Sequence, residues 1–312
     1  MPPAINSAAY KHDRPLYALL LRAGAMIALS IMFACVKYLS EHSVHLVESL
    51  FFRQFCALPV VFFILVRGSG LKGIHTQHFS KHASRTLVGM CGMVCYFTSI
   101  TMLPLAEATT IGFSVPIFAT ILSAIFLKEY VGIHRWSAVI IGFIGVVIIT
   151  QPSGGAHADI NITGAMIALA AAFIASIVSL LLRQLGRTET PTSILFWFSS
   201  LSLIPLGLLM PFFIQPHTPF IWAVLIFMGT VGGVAQWLLT AALRSGPVSL
   251  VLSVDYTSLM WSTMLGWFIW ADLPSEYTWA GALLICGSGL YIIWREHQRL
   301  REARMHQPPL AS

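Results

Sequence analysis

Long apolar stretches, separated by short polar connections, occupy almost the whole chain. Each stretch holds about 20 residues, enough for an α-helix rising about 1.5 Å per residue to cross a hydrocarbon core about 30 Å thick. Long alternating patterns typical of membrane β-strands do not occur. We therefore predict an all-α polytopic membrane protein with ten transmembrane helices. They span residues 16–39, 44–66, 84–103, 105–127, 133–150, 161–182, 192–214, 219–242, 247–270 and 277–294.

The composition excludes an ordinary soluble domain. Of the 312 residues, 57% are hydrophobic and 10% are charged, and the mean hydropathy is +0.79. A soluble domain is about a quarter charged. The first predicted helix follows Lys11 and Arg14 but contains no small-residue cleavage site. We therefore expect an uncleaved span surrounded by membrane lipid, and not a signal peptide that is removed.

The basic residues predict an orientation. Lys and Arg accumulate on the cytoplasmic side of short connections, and here they occupy alternate connections and both termini. They are Lys11, Arg14, Arg67, Lys72, Lys81, Arg85, Lys128, Arg135, Arg183, Arg187, Arg244, Arg295, Arg299, Arg301 and Arg304. The odd-numbered connections, around Glu41, Pro104, Asp159, His217 and Pro274, contain neither residue type. Both termini are therefore predicted to lie in the cytoplasm, with the helices in the plasma (bacterial inner) membrane.

The net charge of +6 follows from this arrangement. The basic residues are spread over six short segments that also anchor helix ends, so they do not form a nucleic-acid surface. The basic C-terminal tail is predicted to lie near anionic lipid.

The chain divides near residues 151–159, and each half then holds five predicted helices. Because five is odd, the second half enters the membrane in the opposite sense, which is the inverted repeat of many transporters. One offset places Trp136 on Trp279 and Glu129 on Asp272. The predicted units are a first repeat (1–150), a second repeat (161–295) and a basic cytoplasmic tail (296–312).

Several motifs resemble a known family. The stretches Leu103-Pro-Leu-Ala-Glu-Ala-Thr-Thr, Pro116-Ile-Phe, Leu127-Lys-Glu129 and Arg135-Trp, with Gly142 and Gly145, resemble the first repeat of EamA-type transporters in the drug/metabolite transporter superfamily. Asp255-Tyr256-Thr-Ser-Leu-Met-Trp261, Gly266 and Ala271-Asp272-Leu-Pro274-Ser are similar to its second repeat. Lys37 and Arg53 fall where that family commonly has a Lys and an Arg.

The resemblance implies a ten-helix bundle with both termini inside. It also implies a central cavity lined mainly by the first, third, fourth, sixth, eighth and ninth helices. The Leu-Pro-Leu-Ala-Glu sequence looks like that of family members associated with riboflavin or S-adenosylmethionine. Ala271 and Lys128 stand where the family usually has a Gly before its acid, which alters a helix end.

Ionisable side chains inside a span cost about 2.5–3.5 kcal/mol each on insertion scales, so each needs a partner, an escape or a function. Arg22 is predicted to snorkel to the cytoplasmic interface. Lys37 either snorkels or supplies positive charge at an external vestibule. Arg53 lies about 14 Å from the outer end of its helix, too deep to snorkel, and helical spacing turns it away from Glu48. It is either a buried strut or an anion-binding or gating charge.

Two acids and several aromatic or amide side chains are further candidates. Asp255 is a proton carrier, a counter-ion for a cationic substrate, or the partner of Arg53. Glu107 either favours the positive N-terminal end of its helix or carries protons. Apolar walls with a few oriented polar groups form ligand pockets, although Trp and Tyr also occupy membrane interfaces without a ligand. The full set of substrate-binding or coupling candidates is Lys37, Arg53, Tyr96, Glu107, Gln236, Trp237, Asp255, Tyr256 and Trp261.

No motif indicates a metal, a cofactor or a catalytic residue. Cys91 and Cys95 lie one helical turn apart but are expected to act as small apolar side chains. His75, His78 and His82 are predicted to be solvated. The sequence contains neither a P-loop nor an H-E-x-x-H motif.

These features favour a secondary transporter that works by alternating access and draws energy from a gradient or from exchange. Its substrate is expected to be a small metabolite that is amino-acid-like, zwitterionic or aromatic. The alternatives are an intramembrane enzyme and a channel or sensor subunit. A homodimer is possible.

Overall fold

The computed structural model describes residues 15–67, 74, 76, 78–126, 132–150, 161–186, 188–245, 251 and 254–305. Every regular element in these ranges is a helix. A 3-10 turn (Val254–Tyr256) precedes α10. The helices are α1 (Pro15–Glu41), α2 (Leu46–Arg67), α3 (Phe79–Met102), α4 (Leu105–Gly112), α5 (Val115–Phe126), α6 (Ile133–Ile149), α7 (Ile162–Leu185), α8 (Pro191–Phe213), α9 (Pro219–Ser245), α10 (Thr257–Trp270) and α11 (Glu276–Met305).

The predicted class, an all-α membrane protein, is confirmed. Among the described residues, six segments are long and apolar enough to cross a membrane, and α6 contains a shorter apolar helix, Trp136–Ile149. The six segments are Leu16–Glu41, Leu46–Ile64, Leu105–Leu122, Ile162–Leu182, Thr192–Phe213 and Pro219–Ala242. The predicted tails and the 151–159 connection contain residues outside the described ranges. Also outside these ranges are Lys11, Arg14, His75, Lys128, Glu129 and Arg187.

The predicted fourth span is interrupted between α4 and α5. Pro116 has no N–H, so it cannot donate to the carbonyl of Gly112, and the helix cannot continue unchanged across it. The backbone tightens there instead: Phe113 N donates to Thr110 O at 3.1 Å, and Ser114 N donates to Ile111 O at 3.0 Å. The span predicted over 105–127 is therefore two helices with a break before Pro116.

Local sequence sets several helix ends. Asn161 caps α7 by accepting from Gly164 N at 3.0 Å, and Thr190 caps α8 by accepting from Ser193 N at 3.2 Å. Helix α10 ends at Ala271, which has the left-handed conformation with φ of 57°. This conformation favours glycine. Because Ala271 stands where the family usually has a Gly, the end of α10 is strained.

Small residues let the helices approach closely. An added Cβ at Gly145 of α6 would lie 2.8 Å from the carbonyl oxygen of Gly281 in α11. An added Cβ at Gly233 of α9 would lie 2.9 Å from Cα of Ala57 in α2. Backbones therefore meet directly at these crossings.

Helices before the 151–159 connection pack mainly against helices after it. Helix α1 packs along α9, α3 along α7, and α6 along α11, while α2 lies against both α8 and α9. Helix α10 contacts α1 and α4. The buried core runs through this interface, with Met32 and Leu50 from the first half beside Leu225 and Met228 from the second. The two halves are thus interleaved, and any site between them is built from both.

Candidate functional site

Charged side chains at the predicted outer ends of the helices are paired. Lys37 Nζ lies 3.3 Å from Asp272 Oδ2 and 4.8 Å from the centre of the Trp270 ring. Trp270 Nε1 donates to Glu41 Oε2 at 2.6 Å. Lys37 is buried, so it reaches a carboxylate and does not snorkel. These contacts tie the outer end of α1 to the end of α10.

A second outer cluster joins α2 to the α8–α9 connection. Glu48 is fully buried. Its Oε2 lies 2.6 Å from His217 Nε2, and its Oε1 accepts from Gln215 N at 3.0 Å. As helical spacing predicted, Glu48 does not pair with Arg53.

On the predicted cytoplasmic side, Arg22 and Asp255 form a two-pronged ion pair. Arg22 Nε donates to Asp255 Oδ1 at 2.5 Å, and Nη2 donates to Oδ2 at 2.6 Å. The predicted snorkelling of Arg22 is wrong, because the buried side chain reaches sideways from α1 to a carboxylate in the 3-10 turn. The hypothesis that Asp255 is the partner of Arg53 is also wrong, since both of its oxygens bind Arg22.

A third cluster lies where α3 meets the α7–α8 connection. His82 is 1% exposed, so its predicted solvation is wrong. The physical reason is that α3 begins at Phe79, earlier than predicted, and this turns His82 towards α8, with its ring centre 6.0 Å from that of Trp197. His82 Nε2 lies 3.8 Å from Glu189 Oε1. His78 is half-buried, at the cap of α3.

Arg53 of α2 and Arg85 of α3 differ from these pairs. They are 7% and 8% exposed, and in the described part of the chain neither has a carboxylate partner. Arg53 Nη1 donates to Gln54 Oε1 at 3.2 Å. The Arg85 guanidinium lies over the Phe198 ring, 3.7 Å from its centre. Ser199 Oγ donates to the same Gln54 oxygen at 3.5 Å.

Both arginines line one small cavity between α2, α3, α8 and α9. Its volume is about 20 Å³, which is room for about one water molecule. Any larger ligand therefore requires the helices to move apart. The polar and aromatic lining residues are Arg53, Gln54, Arg85, Phe198, Ser199 and Gln236.

The remaining candidates lie elsewhere. Tyr96 packs edge-on against Phe33, with ring centres 4.9 Å apart. Glu107 is buried and accepts from Thr278 Oγ1 at 3.1 Å. Trp237 is exposed on α9.

Tyr256 and Trp261 also lie away from the two arginines. Tyr256 packs on Phe113, with its hydroxyl against Gly289, and Trp261 is half-buried in α10. Of the nine candidates, the structure brings only Arg53 and Gln236 to the arginine cavity.

Arg85, Gln54 and Ser199 were not among the predicted site residues. Arg85 stands at the edge of an apolar run, so it was assigned to a cytoplasmic connection. Its spacing held a signal: Gly89, one helical turn later, leaves room for the Phe198 ring that Arg85 covers, since an added Cβ would lie 3.1 Å from that ring. Gln54 follows a deeply placed arginine and could have been considered with it.

Buried charges between two interleaved helical halves are typical of membrane transporters. The sequence model of the EamA-like transporter family matches residues 16–151 and 162–294. The chain therefore belongs to the EamA-like transporter family, and the resemblance seen in its motifs is confirmed. Family membership makes it a small-molecule transporter and an integral membrane protein.

Curated relatives agree with this assignment. The riboflavin transporter of Vibrio cholerae is 27% identical over 298 residues, covering 94% of this chain and 98% of the relative. The pseudopaline exporter CntI of Pseudomonas aeruginosa is 27% identical, covering 85% and 94%. The S-adenosylmethionine uptake transporter of Rickettsia felis is 26% identical, covering 87% and 90%. These names indicate transport and not enzyme activity.

A solved crystal structure also matches the fold. It has a TM-score of 0.59 and 21% sequence identity, and the match covers 91% of this chain and 97% of the other. This similarity supports the fold alone.

Proposed function

We propose that the protein is a secondary transporter that moves a small metabolite across the inner membrane by alternating access of two inverted five-helix halves. The substrate class is amino-acid-like, zwitterionic or aromatic. Riboflavin is aromatic and S-adenosylmethionine is an amino-acid derivative, so the names of two relatives support this range. Both termini in the cytoplasm and a homodimer stay predictions.

The observation that carries the proposal is the pattern of helix contacts. Exchanging the halves replaces α1 by α7, α2 by α8, α3 by α9, α4 and α5 by α10, and α6 by α11. The α1–α9 contact then becomes the α3–α7 contact, and the α2–α9 contact becomes the α3–α8 contact; all four occur. The same exchange leaves three other contacts unchanged, namely α2–α8, α4–α10 and α6–α11. This pattern is expected of two like halves related by a two-fold axis, and two separate family matches support it.

The ion pairs at the two ends of α1 support alternating access. Arg22 holds Asp255 before α10, and Lys37 holds Asp272 after it. The two pairs are about 22 Å apart along the helix. An ion pair joins α1 to the α10 segment at each end, and rocking one half against the other would break one pair at a time.

The test is transport by purified protein in proteoliposomes. The panel holds labelled amino acids, S-adenosylmethionine and riboflavin, each measured with and without a pH gradient and in counterflow. We expect saturable counterflow of at least one compound. Flux that rises linearly without saturation would indicate a channel, and chemical change of the compound would indicate an enzyme. Liposomes without protein are the control.

A further inference from the structure

Two unpaired positive charges share one cavity inside the membrane. The buried Lys and Arg side chains of the described residues are Arg22, Lys37, Arg53 and Arg85. The first two have carboxylate partners, and the last two do not. A buried charge without a partner is costly. The cavity therefore favours a ligand that brings negative charge.

Several buried nitrogen donors around the cavity have no acceptor. Among the described residues, Arg53 Nε, Arg85 Nε and Nη1, and Gln54 Nε2 are buried and have no acceptor. The oxygen of Gln54 is already used by Arg53 and Ser199, so its free group is the amide nitrogen. The unsatisfied buried atoms of Arg53, Gln54 and Arg85 are all donors, so they fit a group that only accepts hydrogen bonds. Guanidinium groups bind carboxylates through paired N–H donors.

The cavity also lies where the two halves meet. Arg53 is seven residues from the start of α2, about 10 Å from its outer end, and Arg85 is six residues from the start of α3, about 9 Å from its inner end. With the predicted orientation, the two arginines lie on helices that enter the membrane from opposite sides. The helices that surround it, α2 with α8 and α3 with α9, exchange when the halves are exchanged. Transporters place their ligands in such positions.

From these observations we infer that Arg53, Arg85 and Gln54 form a carboxylate-binding site for the transported compound. This inference rests on the proposed function and narrows its substrate class to metabolites that carry a carboxylate. Phe198 supplies the aromatic wall that orients Arg85. In the present closed arrangement the site has room for about one water molecule, so the carboxylate enters when the halves separate.

The test measures ligand-dependent stability of the full-length protein in detergent. Matched pairs of probes differ only in the carboxylate: acetate with acetamide, and L-phenylalanine with L-phenylalaninamide. Inorganic phosphate is a third probe. We expect an acid to raise the midpoint of thermal unfolding while its amide and phosphate do not. Arg53→Gln and Arg85→Gln should each weaken the apparent affinity for the acid about tenfold to hundredfold.

Two further variants make the result independent of folding defects. Arg67→Gln removes an exposed arginine of the same helix as Arg53, and it should leave the acid-dependent shift unchanged. Gln54→Glu places a carboxylate inside the cavity; it should raise the unfolding midpoint without ligand and abolish the response to acids.

Several outcomes would overturn the inference. They are an equal shift from acid and amide, no shift from any acid, a shift from phosphate alone, and an acid-dependent shift that survives in Gln54→Glu and both arginine variants. Because binding is measured without transport, its failure is separate from failure of the proposed function. A protein that binds acids but shows no counterflow contradicts only the transporter proposal.

Discussion

Charges at the two ends of α1 and charges between α2 and α3 are handled in opposite ways. Arg22 and Lys37 each bind a carboxylate of the segment around α10. Arg53 and Arg85 are as deeply buried but have no such partner among the described residues. Paired charges neutralise each other and hold two segments together, whereas unpaired ones keep their attraction for an incoming anion. The paired charges therefore join segments, and the unpaired charges are suited to bind a ligand.

The inner ion pair should matter most for stability. Asp255→Asn leaves Arg22 buried without a counter-ion. Removing one partner of a buried pair costs about 3–5 kcal/mol, and because Asp255 is 30% exposed, we expect a loss of about 2–4 kcal/mol in the free energy of unfolding. Thermal unfolding of the purified protein measures it.

The control for the inner pair is the double variant Arg22→Gln with Asp255→Asn. It removes both charges and should recover most of the lost stability. A double variant as unstable as the single one would show that the two side chains act independently.

A smaller effect is expected when the unpaired site is disturbed without changing its charge. Gly89→Ala adds a methyl group 3.1 Å from the Phe198 ring and 3.5 Å from Arg85 Nη1. Overpacking of this kind costs about 1 kcal/mol or more, so acid binding should weaken about fivefold. The matched control is Gly287→Ala, where no atom lies within 4 Å of an added Cβ. Equal effects of the two variants on acid binding would contradict the placement of Arg85.

The fold could be predicted from the sequence to a large extent. In a membrane every backbone N–H and C=O must be bonded within its own segment, so long apolar stretches are helices. The break before Pro116 was not predicted, because the apolar run over 105–127 continues across it. The sequence could not predict which charged side chains form ion pairs. Arg22 and Asp255 are 233 positions apart, and no local spacing connects them.

The candidate site was predicted less well, for a physical reason. Rules for charged residues in membranes use the distance from a span's edge, so they singled out Arg53 by its depth. Arg85 and His82 stood at an edge and were assigned to the cytoplasmic surface. Burial there depends on α8 covering the start of α3, a tertiary contact whose one trace in the sequence is Gly89, one helical turn after Arg85.

The outer pair should be weaker than the inner one. Lys37 and Asp272 make a single contact at 3.3 Å, and Asp272 is 43% exposed. Water reaches Asp272 and screens the pair although Lys37 is buried, so Asp272→Asn should cost about 0.5–1 kcal/mol. A loss as large as that of Asp255→Asn would mean that the outer end is held as tightly as the inner end. Thermal unfolding of both variants in one buffer makes this comparison.

The strained residue at the end of α10 can be relieved by a substitution. Ala271 precedes Asp272 and has a positive φ, a conformation that costs an L-residue about 1–2 kcal/mol and glycine almost nothing. Glycine loses more entropy on folding, so Ala271→Gly should stabilise the protein by about 0.5 kcal/mol. Ser43, with φ of 60° in the α1–α2 connection, is the matched position. Ser43→Gly should give a similar gain in the free energy of unfolding. Only Ala271→Gly should change the loss in that free energy caused by Asp272→Asn. Because Ala271 sets the direction in which Asp272 leaves α10, the double variant should depart from additivity, while the Ser43→Gly combination should add.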